Sequence, residues 1–175
     1  YINPRYSKEE NLESYGAKYF TTNTLDPSGN NRCFVGEKES KINDHKIDCK
    51  RLRKFKKSGR ILDFGTGLGF FLDALEGNWE KHAVDTSSFA INYIQNPKVE
   101  KYRGTLFEAN YEDKYFDAIY IGNTLDRLGN VDAVLAELER ILRDDGVILV
   151  YTPNIESLCA KTFKDKYRLP VNNKK

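Results

Sequence analysis

The chain has 175 residues, of which 39% are hydrophobic and 31% charged, enough for one domain with its own core. A net charge of +2 is too small to imply a polyanionic partner, and three scattered cysteines (Cys33, Cys49 and Cys159) form neither a zinc framework nor an even disulfide set. That cysteine usage points to reduced thiols and a cytoplasmic location, and no apolar run approaches the roughly 20 residues of a membrane span. No signal peptide is visible, but the chain lacks methionine and begins at Tyr1, so further residues are expected before it.

Residues 1–58 read as a polar, aromatic-rich lead-in. Ser7 followed by Glu10 is a capping box, which predicts a helix from about Lys8 to Ala17, with Tyr15, Tyr19 and Phe20 clustered at its end. The stretch from Thr21 to Ser40 is rich in Asn, Gly, Ser and Asp and reads as a loop or lid. A second helix is predicted over Asn43 to Lys57, with Ile47, Leu52 and Phe55 on its apolar side. It carries Lys50, Arg51, Arg53, Lys54, Lys56 and Lys57. Because no basic stripe recurs elsewhere, these are read as a solvated face rather than a nucleic-acid patch.

The segment from Gly59 to Leu72, GRILDFGTGLGFFL, is the one around which the rest of the chain is organised. A short apolar run ends in Asp63, glycines alternate at 65, 67 and 69, and an apolar segment at helical spacing continues through Leu75. Strand, glycine turn and helix open a nucleotide-binding α/β unit. A dinucleotide fingerprint needs its last glycine where Phe70 stands. Asp63, two residues before the first glycine, repels phosphate and suits a ligand with an amino group.

Gly77 should end that helix, and Lys81 to Val84 reads as a second strand closing on Asp85, placed to take both hydroxyls of a ribose. Ser87 caps the next helix, Ser88 to Ile94, and a third strand through Tyr102 and Arg103 ends at Gly104 and Thr105. A fourth strand starts at Phe116-Asp117-Ala118-Ile119. Apolar residues at 131, 134, 135, 138, 141 and 142 mark an amphipathic helix capped by Asn130. Asp144-Asp145-Gly146 should turn into a buried strand, Val147 to Tyr151.

On these residues the chain resembles the class I S-adenosylmethionine-dependent methyltransferases, whose first motif is D-x-G-x-G-x-G. The Phe116-Asp117 strand start and the run ERILRDDGVILVYTPN are similar to that family's fourth and fifth strand regions. Where the family often carries Glu-His-Leu, this chain has Asp126-Arg127-Leu128, so the histidine is absent. The resemblance covers about Gly59 to Ser157, and Asn3-Pro4-Arg5 with Tyr19-Phe20 resembles a lead-in of the ubiquinone and menaquinone branch.

The resemblance implies a Rossmann-like, doubly wound, mostly parallel sheet. Residues 1–58 would cover the cofactor site, 59–160 form the core, and 161–175 a loop or tail. Five of the family's seven strands can be placed, and the remainder is expected beyond the given chain. The implied cofactor is S-adenosylmethionine, with S-adenosylhomocysteine as product. Gly65, Thr66, Gly67 and Gly69 would cradle it, Asp63 hold the amino group and Asp85 the ribose; Thr86, Thr105 and Leu106 would flank the adenine. Asn123 would approach the methionine moiety through its backbone, and Tyr15, Tyr19 and Phe20 would cover the sulfonium. Asp126 is the one candidate base near the methyl; His82 is expected in the core and His45 exposed. The acceptor is expected to be a small molecule and not nucleic acid, since no Asn-Pro-Pro-Tyr-type sequence comes after the fourth strand. Two alternatives stay open: a methyltransferase-like scaffold without activity, and an NAD-binding Rossmann oxidoreductase.

Overall fold

The computed structural model describes residues 15–21, 24–25, 31–152, 154, 156–157 and 161–162. The predicted capping box at Ser7 and Glu10 lies outside these residues. The lead-in contributes a short helix α1 (Ala17–Thr21), a two-residue antiparallel pair β1 (Thr24–Leu25) and β2 (Asn31–Arg32), and helix α2 (Lys38–Leu52). The region expected as loop therefore holds regular structure at both ends.

Five strands form one sheet: β3 (Gly59–Phe64), β4 (Trp79–Asp85), β5 (Val99–Arg103), β6 (Phe116–Gly122) and β7 (Leu142–Tyr151), in the order β5-β4-β3-β6-β7. Every neighbouring pair is parallel. The connections carry α3 (Phe70–Ala74), α4 (Ser88–Tyr93) and α5 (Val131–Ile141). Strand order reverses beside β3, which opens a crevice at its carboxyl end, and the glycine turn sits there.

Both faces of the central strands β3, β4 and β6 are covered, as a parallel sheet requires. Strand β7, expected to be buried, is instead an edge strand on which Ile148, Val150 and Tyr151 are 39%, 43% and 52% exposed. Ile61 and Ala83 meet Leu52 of α2 and Phe71 of α3 on one face; Leu62, Phe64 and Val84 meet Val134, Leu138 and Ile141 of α5 on the other. Helix caps agree with the sequence signals. Ser87 Oγ accepts from the Ala90 amide and Asn130 Oδ1 from the Ala133 amide. Helix α3 ends before Gly77, where Leu75 turns extended, and Lys81 reaches back from β4 to satisfy the carbonyls of Leu72 and Leu75, at 2.6 Å each.

Two expectations are corrected. Helix α2 starts five residues earlier than predicted and ends at Leu52, and it presents Ile42, Asp48, Cys49 and Leu52 inward. Ile47 and Phe55 are 56% and 73% exposed. The inward face is partly polar, so hydrophobicity alone misplaces it: Asp48 is buried because the Tyr120 hydroxyl donates to it at 3.0 Å and Arg51 at 3.1 Å. At the other end of the chain α5 passes directly into β7. Phe116 pairs with Leu142 but Ala118 pairs with Val147, so the Asp-Asp-Gly turn is absorbed as an irregularity of the strand. Lys114 and Lys56 hold its two acids, Asp144 and Asp145, at 2.6 Å.

Candidate functional site

The crevice is built around an acid at the end of each of two adjacent strands. Asp85 closes β4, and its carboxylate accepts from the Gly67 amide at 2.9 Å and from the Ser87 amide at 2.8 Å. The glycine turn and the loop after β4 are thereby clamped to one side chain. Burial raises the Asp85 pKa and the amides of Ser87, Gly67 and Thr86 partly offset this. Each carboxylate oxygen has a second lone pair, so Asp85 retains capacity to accept from a diol.

Asp63 lies deeper, 2% exposed at the end of β3. The Thr66 hydroxyl donates to it at 2.7 Å. Burial dominates and pushes its pKa from 3.8 to about 7; the Thr66 hydrogen bond and nearby His45 act the other way, while Asp85 adds to the rise. Asp63 is thus an acid held near neutrality by its surroundings and balanced for a cationic partner.

The three glycines differ in what they face. All have positive φ, +74°, +53° and +77° for Gly65, Gly67 and Gly69. A Cβ on Gly65 would stand 2.7 Å from Thr124 Cγ2, and one on Gly69 would stand 2.8 Å from Ile94. These two are demanded by packing. At Gly67 the nearest atom would be a Phe20 ring carbon at 4.0 Å, so its face of the turn is open. Gly67 is the position where a ligand can approach the backbone.

The lead-in roofs this opening. Phe20 stacks on Phe89 with centroids 5.6 Å apart, and Tyr19 stacks on Phe34 at 5.2 Å. Ser87 Oγ donates to the Tyr15 carbonyl at 2.6 Å, tying the roof to the loop after β4. Arg127, placed where the family histidine would stand, is not among the site residues expected from the sequence. Its guanidinium donates to the Tyr15 hydroxyl and lies over that ring at 5.4 Å, and its Nε donates to the Asn123 carbonyl at 3.1 Å. It also faces Tyr19, whose pKa burial raises and Arg127 lowers. Its signal in the sequence is a cation in the loop after the fourth strand opposite an aromatic lead-in.

Other predicted residues fall less directly on the opening. The Asn123 amide already donates to the Tyr151 carbonyl at 2.7 Å and its own carbonyl accepts from Arg127, so its backbone is partnered. Its φ of +52° is the strained turn that brings this about. The Leu106 side chain is buried in the α5-side core, leaving only its backbone for a ligand, and the Thr105 hydroxyl donates to Glu108 at 2.8 Å. Asp126 is half-buried, and its Oδ1 is shielded and without a hydrogen-bond partner. His45 is not exposed as expected. It packs edge-on to Phe71 and Tyr120, 3.7 Å from Asp48, behind Asp63. His82 is in the core as expected, at 0% exposure. A polar cleft of about 480 Å³ lies at the amino ends of the strands, around Arg60, Asp117 and Arg143, at the far end of β3 from the glycine turn.

The fit to a nucleoside carrying an amino-acid group is good: an open glycine, an acid for the diol, and a near-neutral acid beside the turn. These groups lie at the carboxyl ends of the strands, at the point where the strand order reverses. The model of the family described as "Methyltransferase domain" matches residues 36–174, and the chain belongs to that family, a class I S-adenosylmethionine-dependent methyltransferase domain. No curated protein sequence matches it significantly. Among solved structures it is similar to a SAM-dependent methyltransferase of Thermotoga maritima (23% identity, TM-score 0.59, covering 75% of this chain and 64% of that one). It is also similar to the plantazolicin methyltransferase BpumL, solved with a monoazolic desmethylPZN analogue and S-adenosylhomocysteine (18%, 0.60, 77% and 54%). A third is a phosphoethanolamine N-methyltransferase of Haemonchus contortus, solved with phosphomonomethylethanolamine and S-adenosylhomocysteine (19%, 0.55, 70% and 32%). The chain thus spans less than two thirds of each of these structures. Neither the oxidoreductase nor the inactive-scaffold reading finds support in these comparisons.

Proposed function

We propose that this domain transfers a methyl group from S-adenosylmethionine to a small-molecule acceptor of the quinone- or lipid-precursor, sugar or secondary-metabolite kind, in the cytoplasm. The observation that carries the reading is the Gly67–Asp85 clamp, which sets the one open-faced glycine of the turn beside a strand-end carboxylate. In this reading Asp85 accepts from the ribose hydroxyls, Gly67 gives backbone access, and Asp63 faces the amino group. Thr86 and the backbone of Thr105 and Leu106 border the base. Residues 1–58 act as the cover and 59–160 as the core.

The cofactor, when bound, supplies an electrophilic methyl on a positive sulfur. The protein's share is then alignment and exclusion of water. Tyr15, Tyr19 and Phe20 present ring faces that favour a cation, and Arg127 fixes Tyr15 in place. In this reading Asp126, whose Oδ1 has no hydrogen-bond partner, is the candidate to take a proton from an acceptor that must lose one. The small molecules bound in the plantazolicin and phosphoethanolamine methyltransferase structures support that acceptor class by analogy. Among the described residues no helix is long and apolar enough to cross a membrane.

The reading is tested by isothermal titration with S-adenosylhomocysteine, with NAD in parallel, on the natural chain and on Asp85→Ala. Micromolar binding of the first, absent for NAD and lost in the variant, is expected. A folded chain that binds neither returns the scaffold reading.

A further inference from the structure

His82 presents a problem unrelated to the crevice. It is 0% exposed, and neither ring nitrogen has a hydrogen-bond partner. Buried polar atoms are nearly always satisfied, and an exception needs a physical reason. Its surroundings supply one. Nε2 faces Glu80 Oε1 at 3.4 Å and Nδ1 faces Glu100 Oε2 at 3.6 Å. A ring nitrogen and one oxygen from each carboxylate all lie within 4.8 Å of one another.

The backbone explains the convergence. Glu80 and His82 are two apart on β4 and so project from the same face. Glu100 is the registered partner of His82 on the edge strand β5. This face carries Val84, opposite the face of Ala83, and His82 lies three residues, roughly 10 Å, before Asp85. Tyr111, Tyr115 and Phe116 enclose the ring, with centroids 5.2 to 5.9 Å away. Arg60 Nε donates to Glu80 Oε2 at 3.0 Å, which turns Oε1 towards the histidine.

We propose that Glu80, His82 and Glu100 form a binding site for a divalent cation of the zinc type, fastening the edge strand β5 to β4. One neutral imidazole with two carboxylates is a donor set that zinc accepts, with water completing four-coordination. At bond lengths of about 2.0–2.2 Å, the donor atoms of a tetrahedral site stand roughly 3.3–3.6 Å apart. The 3.4 Å between Nε2 and Glu80 Oε1 is such an edge. Glu100 Oε2 faces the other ring nitrogen, Nδ1, and one ion takes a single nitrogen of an imidazole. The 71% exposed Glu100 side chain must therefore swing about its own bonds to the Nε2 side when the ion binds. Arg60 then acts on the site through Glu80, orienting a ligand carboxylate from behind.

The test uses the full chain stripped of metal, titrated with zinc chloride by calorimetry and with cobalt(II) as a spectroscopic probe. The expected result is one zinc per chain and a cobalt spectrum without a thiolate charge-transfer band. Because replacing buried His82 endangers the fold, the exposed Glu100→Gln carries the test, with Glu80→Gln beside it. Each should weaken zinc binding by at least about tenfold, while S-adenosylhomocysteine binding stays at the level of the natural chain in Glu100→Gln. The proposal is overturned by an absence of saturable zinc binding, by unchanged affinity in both variants, or by a thiolate band that assigns the metal to the cysteines.

Discussion

Replacing Gly67 by alanine separates the cost of a strained backbone from the loss of a ligand-facing surface. Gly67 has φ +53°, and an alanine forced into that region costs about 1–2 kcal/mol. The added methyl meets nothing closer than Phe20 at 4.0 Å, so no overpacking is added. For a chain of 175 residues a destabilisation of about 1 kcal/mol lowers Tm by roughly 2–4 °C. The amide still donates to Asp85, so the turn keeps its course. S-adenosylhomocysteine binding should nonetheless fall by at least about tenfold, which is ~1.4 kcal/mol, because the methyl occupies the open face. Gly65→Ala is the control. It carries a similar φ cost and drives a Cβ against Thr124, so overpacking of about 1–3 kcal/mol is added and Tm should fall by roughly 4–20 °C. Differential scanning fluorimetry and calorimetric titration on both variants check this. Undiminished ligand affinity in a folded Gly67→Ala would refute the assignment of that face to the ligand.

Three other substitutions probe the same site. Asp63 has a folded pKa of about 7 against 3.8, so the folded state binds the extra proton between those values and loses stability as pH rises through that window. Asp63→Asn should flatten the pH dependence of Tm between about 4 and 7, with a penalty of order 4 kcal/mol removed above it; a curve parallel to the natural chain's would show that Asp63 ionises as it does in water. Asp85→Asn presents an amide group to one of the two backbone N–H donors at Gly67 and Ser87. It should cost about 1–3 kcal/mol in denaturant unfolding and weaken S-adenosylhomocysteine roughly 10- to 100-fold. Arg127→Met keeps the apolar stem but removes the donors to Tyr15 and Asn123. Ligand affinity should drop several-fold with a smaller proportional change in unfolding midpoint, and equal affinity would remove Arg127 from the roof.

The local signals of this chain are sufficient wherever one short segment decides its own conformation. The alternating glycines demand positive φ, and Ser87 and Asn130 announce their helices. The apolar repeat of α5 supplies the buried stripe Val134, Leu138 and Ile141, though Leu135 of the same repeat is exposed and Leu142 begins β7. Asp63 and Asp85 can be located because a strand-end acid beside a glycine turn is a sequence-local pattern. Sequence alone does not supply which neighbour each residue meets. Helix α2 buries Asp48 rather than Ile47 because Tyr120, 72 positions away, provides a hydroxyl for it. Gly67 alone is open because Thr124 and Ile94 arrive against the other two glycines. Arg127 joins the roof through Tyr15, and Glu100 reaches His82 only through the register of β5 on β4. Periodicity and turn chemistry are properties of contiguous residues, whereas these pairings exist only after strands align and the chain closes on itself.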